Sequence, residues 1–309
     1  MNGQVAKCPK AFVLGHPITH SKSPLLHRAA YQVMGLDIRY ERLDTRENQL
    51  AEVFARYTPQ QGTRGFSVTM PLKSAVKGYL DYLTPFAQAV GVVNTVYWQQ
   101  GPDGKFVSYG DNTDVSGIVN ALRQAGFTGQ PVTPAIIGGG GTATAALAAV
   151  RAMGAQSVRV FVRDASRAQG VADAATRLGL RLDFLPIADF AQRYAEFDIT
   201  ICTLPAGAAN HLLATAGTDQ QAGYLLDVSY DPWPSALAEE WESLGGVVTS
   251  GLEMLMYQAV DQVKLFTGHP RSLPLPQQNE VLAAMRHAVG LPVTGFAPEP
   301  INEISSIIR

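Results

Sequence analysis

The chain has 309 residues, 46% of them hydrophobic and 16% charged, and a formal net charge of −2. That length is comfortable for two domains. The near-neutral charge gives no basis for nucleic acid or an anionic membrane as partner, and no apolar run approaches the roughly 20 residues of a membrane span.

The opening residues, MNGQVAKCPKAFVLGHP, lack a long apolar core and a small-residue cleavage site, so no secretory signal is expected. The two cysteines, Cys8 and Cys202, cannot build a disulfide framework and lack metal-ligand spacing, which suits a reducing cytoplasm. KAFVLG (10–15) predicts a strand. SPLLHRAAYQVMG (23–35) predicts a helix with Ser23 as N-cap and Pro24 at the first helical position. IRYERLD (38–44) alternates as a strand does, ENQLAEVFARY (47–57) has helical spacing, RGFSVTM is the next strand and LKSAVKGYLDYL (72–83) the next helix. This βαβαβα order predicts a mostly parallel sheet covered by helices.

The alternation restarts at Asp114. DVSGIVNALRQAGF reads as a helix, TPAIIGG as a buried strand, TATAALAAVRAMG as an alanine-rich helix and SVRVFVRD as a strand. RAQGVADAATRLG is helical, and LRLDFLP, FDITICTLP and GYLLDVSY are strand-like. Two helices without strands follow, LEMLMYQAVDQVKLFTG (252–268) and QNEVLAAMRHAVG (278–290), and are expected to return to the first domain. The expected organisation is therefore an α/β chain with one domain over 1–113 completed by 252–292. A second domain covers 114–251, and 293–309 forms a mobile extension.

Gly138, Gly139, Gly140 and Gly141 lie directly between a strand and a helix, and Gly138-x-Gly140-x-x-Ala143 fits the dinucleotide pattern. The first glycine permits the turn and the second lets a pyrophosphate approach the backbone. The small third residue lets helix and strand pack, and the helix N-terminus faces the phosphates. At the end of the second strand, Asp164 suits the two hydroxyls of an NAD ribose, whereas Arg163 and Arg167 suit the 2′-phosphate of NADP. Two arginines around one acid favour NADP, with NAD as the alternative. The bland reading is a solvated Arg–Asp loop.

Elsewhere, Ser21 and Ser23 flank a helix start, where hydroxyls and unpaired N–H groups favour an anion. Asn94 and Asp114 each follow strand-like runs, though NT and NTD are also common turn signals. Lys73 follows a strand and Pro71 at what reads as a helix start, where a positive charge needs an offset; Asp114 is the natural partner. His16, His20 and His27 form no closed ligand set, so no metal is expected.

Seven stretches occur in order: GHPITHSKSPLLH, SVTMPLK, GVVNT, GDNTD, GGGGTA, DVSYDPWPSAL and GLEMLMYQ. Together they resemble the shikimate dehydrogenase family, from residue 11 to about 290. The resemblance implies a discontinuous substrate domain joined to a Rossmann-type NADP domain, with the active site in the cleft between, and reversible reduction of 3-dehydroshikimate to shikimate. It implies that Ser21 and Ser23 bind the substrate carboxylate and that Thr69, Lys73, Asn94, Asp114 and Gln258 bind hydroxyls. Lys73 and Asp114 would be the catalytic pair. Tyr230 would lie near the carboxylate and Gly251 near the nicotinamide. Gly139, Gly141, Thr142 and Thr203 would line the cofactor, with Met254 either there or simply packed. A monomer or homodimer is expected.

The sequence departs from the family pattern in three places. Ser67 stands where the family commonly has asparagine, Val162-Arg163-Asp164 where it often has Asn-Arg-Thr, and Cys202-Thr203-Leu204-Pro205 where it has Asn-Ala-Thr-Ser. Asp164 supports an alternative reading as an NAD-preferring quinate/shikimate dehydrogenase. A non-catalytic regulator would be favoured by loss of Lys73 and Asp114, and both are present.

Overall fold

The computed structural model describes residues 8–129, 132–217 and 219–301. Within them the chain forms two compact units, one of residues 8–88, 92–113 and 259–300 and one of residues 89–91, 114–258 and 301. No helix among the described residues is long and apolar enough to cross a membrane.

The first unit begins with β1 (Lys10–Gly15), α1 (Ser23–Val33), β2 (Arg39–Asp44), α2 (Leu50–Arg56) and β3 (Thr63–Val68). It continues with β4 (Tyr82–Leu83), α3 (Pro85–Val90, its last two residues in the other unit), β5 (Thr95–Gln100) and β6 (Phe106–Asp111). The strands form one sheet in the order β2-β1-β3-β5-β6-β4. β1 runs parallel to β2 and β3, but β5 is antiparallel to both β3 and β6. The sheet is thus mixed: the β2–β1 and β1–β3 pairs are parallel as expected, the β4–β6 pair is parallel too, and the two pairs made by β5 are antiparallel. The tight loop after Gln100 makes a hairpin, and a hairpin's strands must run antiparallel. Its core holds Phe12, Leu14, Phe66, Val68, Leu72, Val76, Val93 and Val96, and burying each such side chain contributes about 1.5–3 kcal/mol.

Three local expectations are corrected here. Residues 72–83 are not an α-helix: turns lead into a 3₁₀ helix over Ala75–Tyr79 and then into β4. Pro71 precedes the segment and Gly78 interrupts it, and a stretch this short cannot sustain a helix against both. Ser23 is the first helical residue rather than the N-cap, which is Lys22, and Pro24 sits one place further in. Asn94 does not follow a strand. It precedes β5, because α3 ends at Val90 and Gly91 turns the chain with φ +86°.

The second unit contains α4 (Asp114–Gln124), β7 (Pro134–Ile137), α5 (Gly141–Ala152), β8 (Ser157–Val162), α6 (Gln169–Arg177) and β9 (Arg181–Pro186). It continues with α7 (Phe190–Arg193), β10 (Ile199–Cys202), β11 (Tyr224–Asp227), α8 (Ala236–Ser243) and β12 (Val247–Ser250). All six strands are parallel, in the order β12-β11-β10-β7-β8-β9. Read from the other edge this is the doubly wound dinucleotide-binding order, whose ligand crevice opens where the order reverses, between β7 and β10. Phe161, Phe190, Phe197 and Trp241 fill its core.

The long helix α9 (Gly251–Phe266) belongs to the second unit up to Gln258 and to the first from Ala259. α10 (Gln278–Val289) packs on α1 in the first unit. Residues 291–301 have no regular structure, and 302–309, the rest of the expected extension, lie outside the described residues.

Candidate active site

In the second unit the glycine-rich turn sits at the point where the strand order reverses. β7 ends at Ile137, and Gly138 turns the chain with φ +112°, a conformation that disfavours every residue with a side chain. A Cβ there would also meet Thr203 Oγ1 at 2.5 Å. Thr203, just past β10, is pinned in turn: its N–H and hydroxyl both donate to the Ile137 carbonyl, at 2.8 and 2.9 Å. Gly140 is the N-cap of the 12-residue α5, and no side chain caps the helix. A Cβ on Gly140 would meet nothing within 4 Å, so the backbone is open to close approach. Gly138, Gly139 and Gly140 share a cavity of about 490 Å³ with Arg163, Asp164 and Arg167. Two guanidiniums and a helix N-terminus in one cavity fit a phosphorylated dinucleotide. Gly141 and Thr142 open α5.

Asp164 is already engaged. Its Oδ1 accepts from the Ser166 hydroxyl at 2.7 Å and the Ser166 N–H at 2.9 Å, capping a 3₁₀ turn over Ala165–Arg167. These bonds hold its carboxyl below the usual carboxylate range. The carboxylate therefore shapes the loop that carries Arg167, a local structural task.

The first unit carries Ser21, Ser23, Thr69, Lys73 and Asn94. Ser21, one place before the N-cap Lys22, accepts the N–H of Ser23 on its Oγ at 3.3 Å. The Ser21 carbonyl is held by the Arg42 guanidinium. Thr69 leaves β3 with its N–H on the Leu14 carbonyl at 2.9 Å. Lys73 is half-buried, in the turn before the 3₁₀ helix, and its carbonyl accepts the Val93 N–H at 2.9 Å. The expected helix-dipole penalty on Lys73 falls away, since no α-helix starts there.

The second unit carries the remaining candidates. Asp114 opens α4 and is 5% exposed. Tyr230 is half-buried in the loop after β11. Asp227 clasps that loop: its carboxylate accepts the Ser235 hydroxyl at 2.6 Å and the Ser229 N–H at 3.1 Å. A Cβ at Gly251 would run into the Val228 carbonyl, so packing alone demands glycine there. Met254 and Gln258 are buried on α9, with Gln258 Nε2 on the Leu255 carbonyl at 2.9 Å.

Around Asn94 the structure assembles side chains that sequence reasoning passed over. Asn94 is 2% exposed, and its Oδ1 accepts from the Thr113 N–H at 2.8 Å and the Thr95 hydroxyl at 2.7 Å. Gln262 Nε2 donates to Thr95 Oγ1 at 3.0 Å and to the Asn94 carbonyl at 3.2 Å. Gln262 Oε1 accepts from Ser67 Oγ at 2.6 Å, and Tyr40 donates to Ser67 at 2.6 Å. The available signal was Gln262 itself, one helical turn beyond Gln258 on a mostly apolar helix.

His27 completes this cluster. It is fully buried, stacked 3.9 Å from the Tyr40 ring, with Nε2 3.3 Å from Gln262 Oε1 and Nδ1 3.1 Å from the Tyr31 hydroxyl. Burial brings its pKa down to about 3, with the Gln262 bond opposing. The unfolded imidazole, with a pKa near 6.5, takes up a proton that the folded one refuses. The neutral histidine's contribution is full above about pH 6.5 and is lost as pH falls towards 3. Stability should therefore drop by roughly 2–3 kcal/mol between pH 7 and 4.5 from this group. His27→Gln, which does not titrate, should flatten the urea-unfolding pH dependence by that amount. An unchanged slope would refute it. His16 bonds Asp44 instead, at 2.7 Å, so the amino-terminal histidines do not converge. Among the described residues no group of three or more His, Cys, Asp or Glu side chains is placed to hold a metal ion.

A family profile described as the shikimate dehydrogenase substrate binding domain matches residues 13–96. The shikimate dehydrogenase (NADP(+)) of Oleidesulfovibrio alaskensis is 34% identical over 280 residues, covering 88% of this chain and 93% of that protein. The pentafunctional AROM polypeptide of Yarrowia lipolytica is also 34% identical, over 274 residues, but this chain spans only 17% of its length and aligns over 84% of its own. The solved structure of the Thermus thermophilus shikimate 5-dehydrogenase in complex with NADP(H) and shikimate superposes with a TM-score of 0.71 at 30% identity, covering 91% of this chain and 99% of that one. A glycine-rich turn at the strand-order switch, with similarity over nearly the whole length of the Oleidesulfovibrio and Thermus enzymes, leads to one conclusion: the chain belongs to the shikimate dehydrogenase family.

Proposed function

We propose that the protein reduces 3-dehydroshikimate to shikimate, reversibly, with NADPH. The observation that carries this reading is the cavity of the second unit, where Arg163 and Arg167 share the space of Gly138–Gly140 in a chain of this family. When bound, NADPH supplies the hydride. Arg163 and Arg167 hold the 2′-phosphate by charge-assisted bonds, and the α5 N-terminus holds the pyrophosphate. Thr142, Thr203, Gly251 and Met254 line the rest of the cofactor. Asp164 accepts both Ser166 bonds on Oδ1 and so supports the loop that carries Arg167.

On the substrate, Ser21, Ser23 and Tyr230 bind the carboxylate, and Thr69, Asn94 and Gln258 bind hydroxyls. Hydride addition to the carbonyl leaves an oxygen that must gain a proton. Lys73 donates it and stabilises the developing charge, and Asp114 orients the ammonium; in the reverse direction the pair accepts the proton.

Initial rates with shikimate and with quinate, each with NADP and with NAD, test the assignment. The fastest combination should be shikimate with NADP. Arg163→Ala or Arg167→Ala should raise KM for NADP by about tenfold or more, the worth of one charge-assisted bond, and leave KM for NAD nearly unchanged. If the wild type uses NAD as well as NADP, the assignment of the arginines is wrong.

A further inference from the structure

We propose that Gln262 is a positioning residue that sets the orientation of the Asn94 amide through Thr95, so that Asn94 presents its NH₂ and not its carbonyl to the substrate. The inference rests on the reading of Asn94 as a substrate-hydroxyl ligand.

Two backbone groups decide the direction of the whole chain of bonds. The Asn94 carbonyl can only accept, so the side-chain atom of Gln262 that faces it is Nε2. Gln262 therefore turns its second Nε2 proton to Thr95 Oγ1, and its Oε1 to Ser67 and His27. With an N–H already pointing at Thr95 Oγ1, the threonine's single proton is left for Asn94 Oδ1, 2.7 Å away. The Thr113 N–H can only donate, and it meets the same Oδ1 at 2.8 Å. Both donors fix the oxygen end of the Asn94 amide on the protein side, and the nitrogen end agrees with them, Nδ2 donating to Thr113 Oγ1 at 3.0 Å.

The other end of the relay is equally determined. Tyr40 donates to Ser67, so the Ser67 proton goes to Gln262 Oε1. A neutral His27 has one N–H; facing Oε1, it lies on Nε2, which leaves Nδ1 to accept from Tyr31. Gln262 thus has both amide atoms saturated by partners of fixed polarity, and a flipped glutamine would face donor to donor at Ser67 and acceptor to acceptor at the Asn94 carbonyl. Ser67, short and buried, fits this relay between Tyr40 and Gln262.

The test compares Gln262→Leu, Thr95→Val and Asn94→Ala, alone and with Asn94→Ala combined with each of the others. Gln262→Leu and Thr95→Val should each raise KM for shikimate by about tenfold, the loss of one well-placed hydrogen bond. KM for NADP should stay unchanged, and neither should add to the loss already caused by Asn94→Ala. Thr95→Val is the milder change and carries the test should Gln262→Leu fold poorly. A merely structural role would instead give losses additive with Asn94→Ala, or a lowered Tm with KM intact, and would overturn the inference. The side-chain amide of Asn94 gives an independent readout by NMR: its protons should exchange with solvent at least about tenfold faster in Thr95→Val, by the same hydrogen-bond worth. Unchanged exchange refutes the positioning whatever the substrate proves to be, whereas faster exchange with no effect of Asn94→Ala on shikimate KM would reject the assigned role of Asn94 and leave the positioning intact.

Discussion

Lys73→Ala is expected to lower kcat for shikimate oxidation by about 10²–10⁴, the usual loss for a positioned acid–base group, while NADP binding stays near normal. The backbone places Lys73 well for such a part. β3 ends at Val68, Leu72 is fully buried as an anchor, and the Lys73 carbonyl is tied to the Val93 N–H at 2.9 Å. The turn is thus held from both sides, and Lys73 is half-buried in it. Its proton matters only as charge develops on the substrate oxygen, so the loss should fall on turnover and not on ground-state affinity. Asp114→Asn should also impair turnover. The double variant should cost less than the product of the two single losses, because groups acting as a unit are not additive. A folded Lys73→Ala enzyme with near wild-type turnover would make Lys73 an ordinary surface lysine.

The second large effect concerns stability. Arg271→Met is expected to cost about 3–5 kcal/mol, the usual result of breaking a buried ion pair from one side. The Arg271 guanidinium donates to Asp111 at 2.8 Å and to Asp261 at 2.9 Å, and Lys264 approaches Asp261 at 3.3 Å. All four side chains are between 4 and 11% exposed, and the set is neutral as two acids and two bases. Burial alone would lower the Arg271 pKa, but attraction to Asp111 and Asp261 outweighs it and holds the guanidinium charged. Methionine would leave two buried carboxylates facing one ammonium. An unpartnered buried carboxyl has its pKa raised, so its penalty is present at neutral pH and fades as pH falls and the group protonates. Urea unfolding of Arg271→Met should therefore show its deficit shrinking on acidification, and Asp111→Asn in the same chain should restore part of it at pH 7. A loss below about 1 kcal/mol would place the cluster with weak surface pairs.

Local patterns carried much of the reading. The strand–glycine–helix at 134–152 was legible because the turn, the phosphate approach and the helix start are all encoded within a dozen neighbouring residues. β1, β2, β8 and the helices α4, α5, α9 and α10 were legible in the same way, each from a short run of neighbouring residues. The β5–β6 hairpin was not read, and the 72–83 segment was misread. There the apolar spacing of Leu72 and Val76 mimics a helix, while the pairing that makes β4 a strand comes from β6, more than twenty residues on.

What the sequence by itself determined is the alternation of two α/β units, the dinucleotide turn and the ordered motifs that mark the family, because each depends on residues close along the chain. What only the tertiary structure decided is the division of labour within those motifs. In GDNTD, two aspartates three residues apart look alike on paper; Asp111 is committed to an arginine 160 residues away, and Asp114 opens a helix. In HSKSP, the Ser21 carbonyl is held by the guanidinium of Arg42, 21 residues on. In VVNT, the Asn94 carbonyl meets Gln262 across 168 residues. A buried hydrogen bond or ion pair is specified by where two distant segments meet, and no local spacing encodes that meeting.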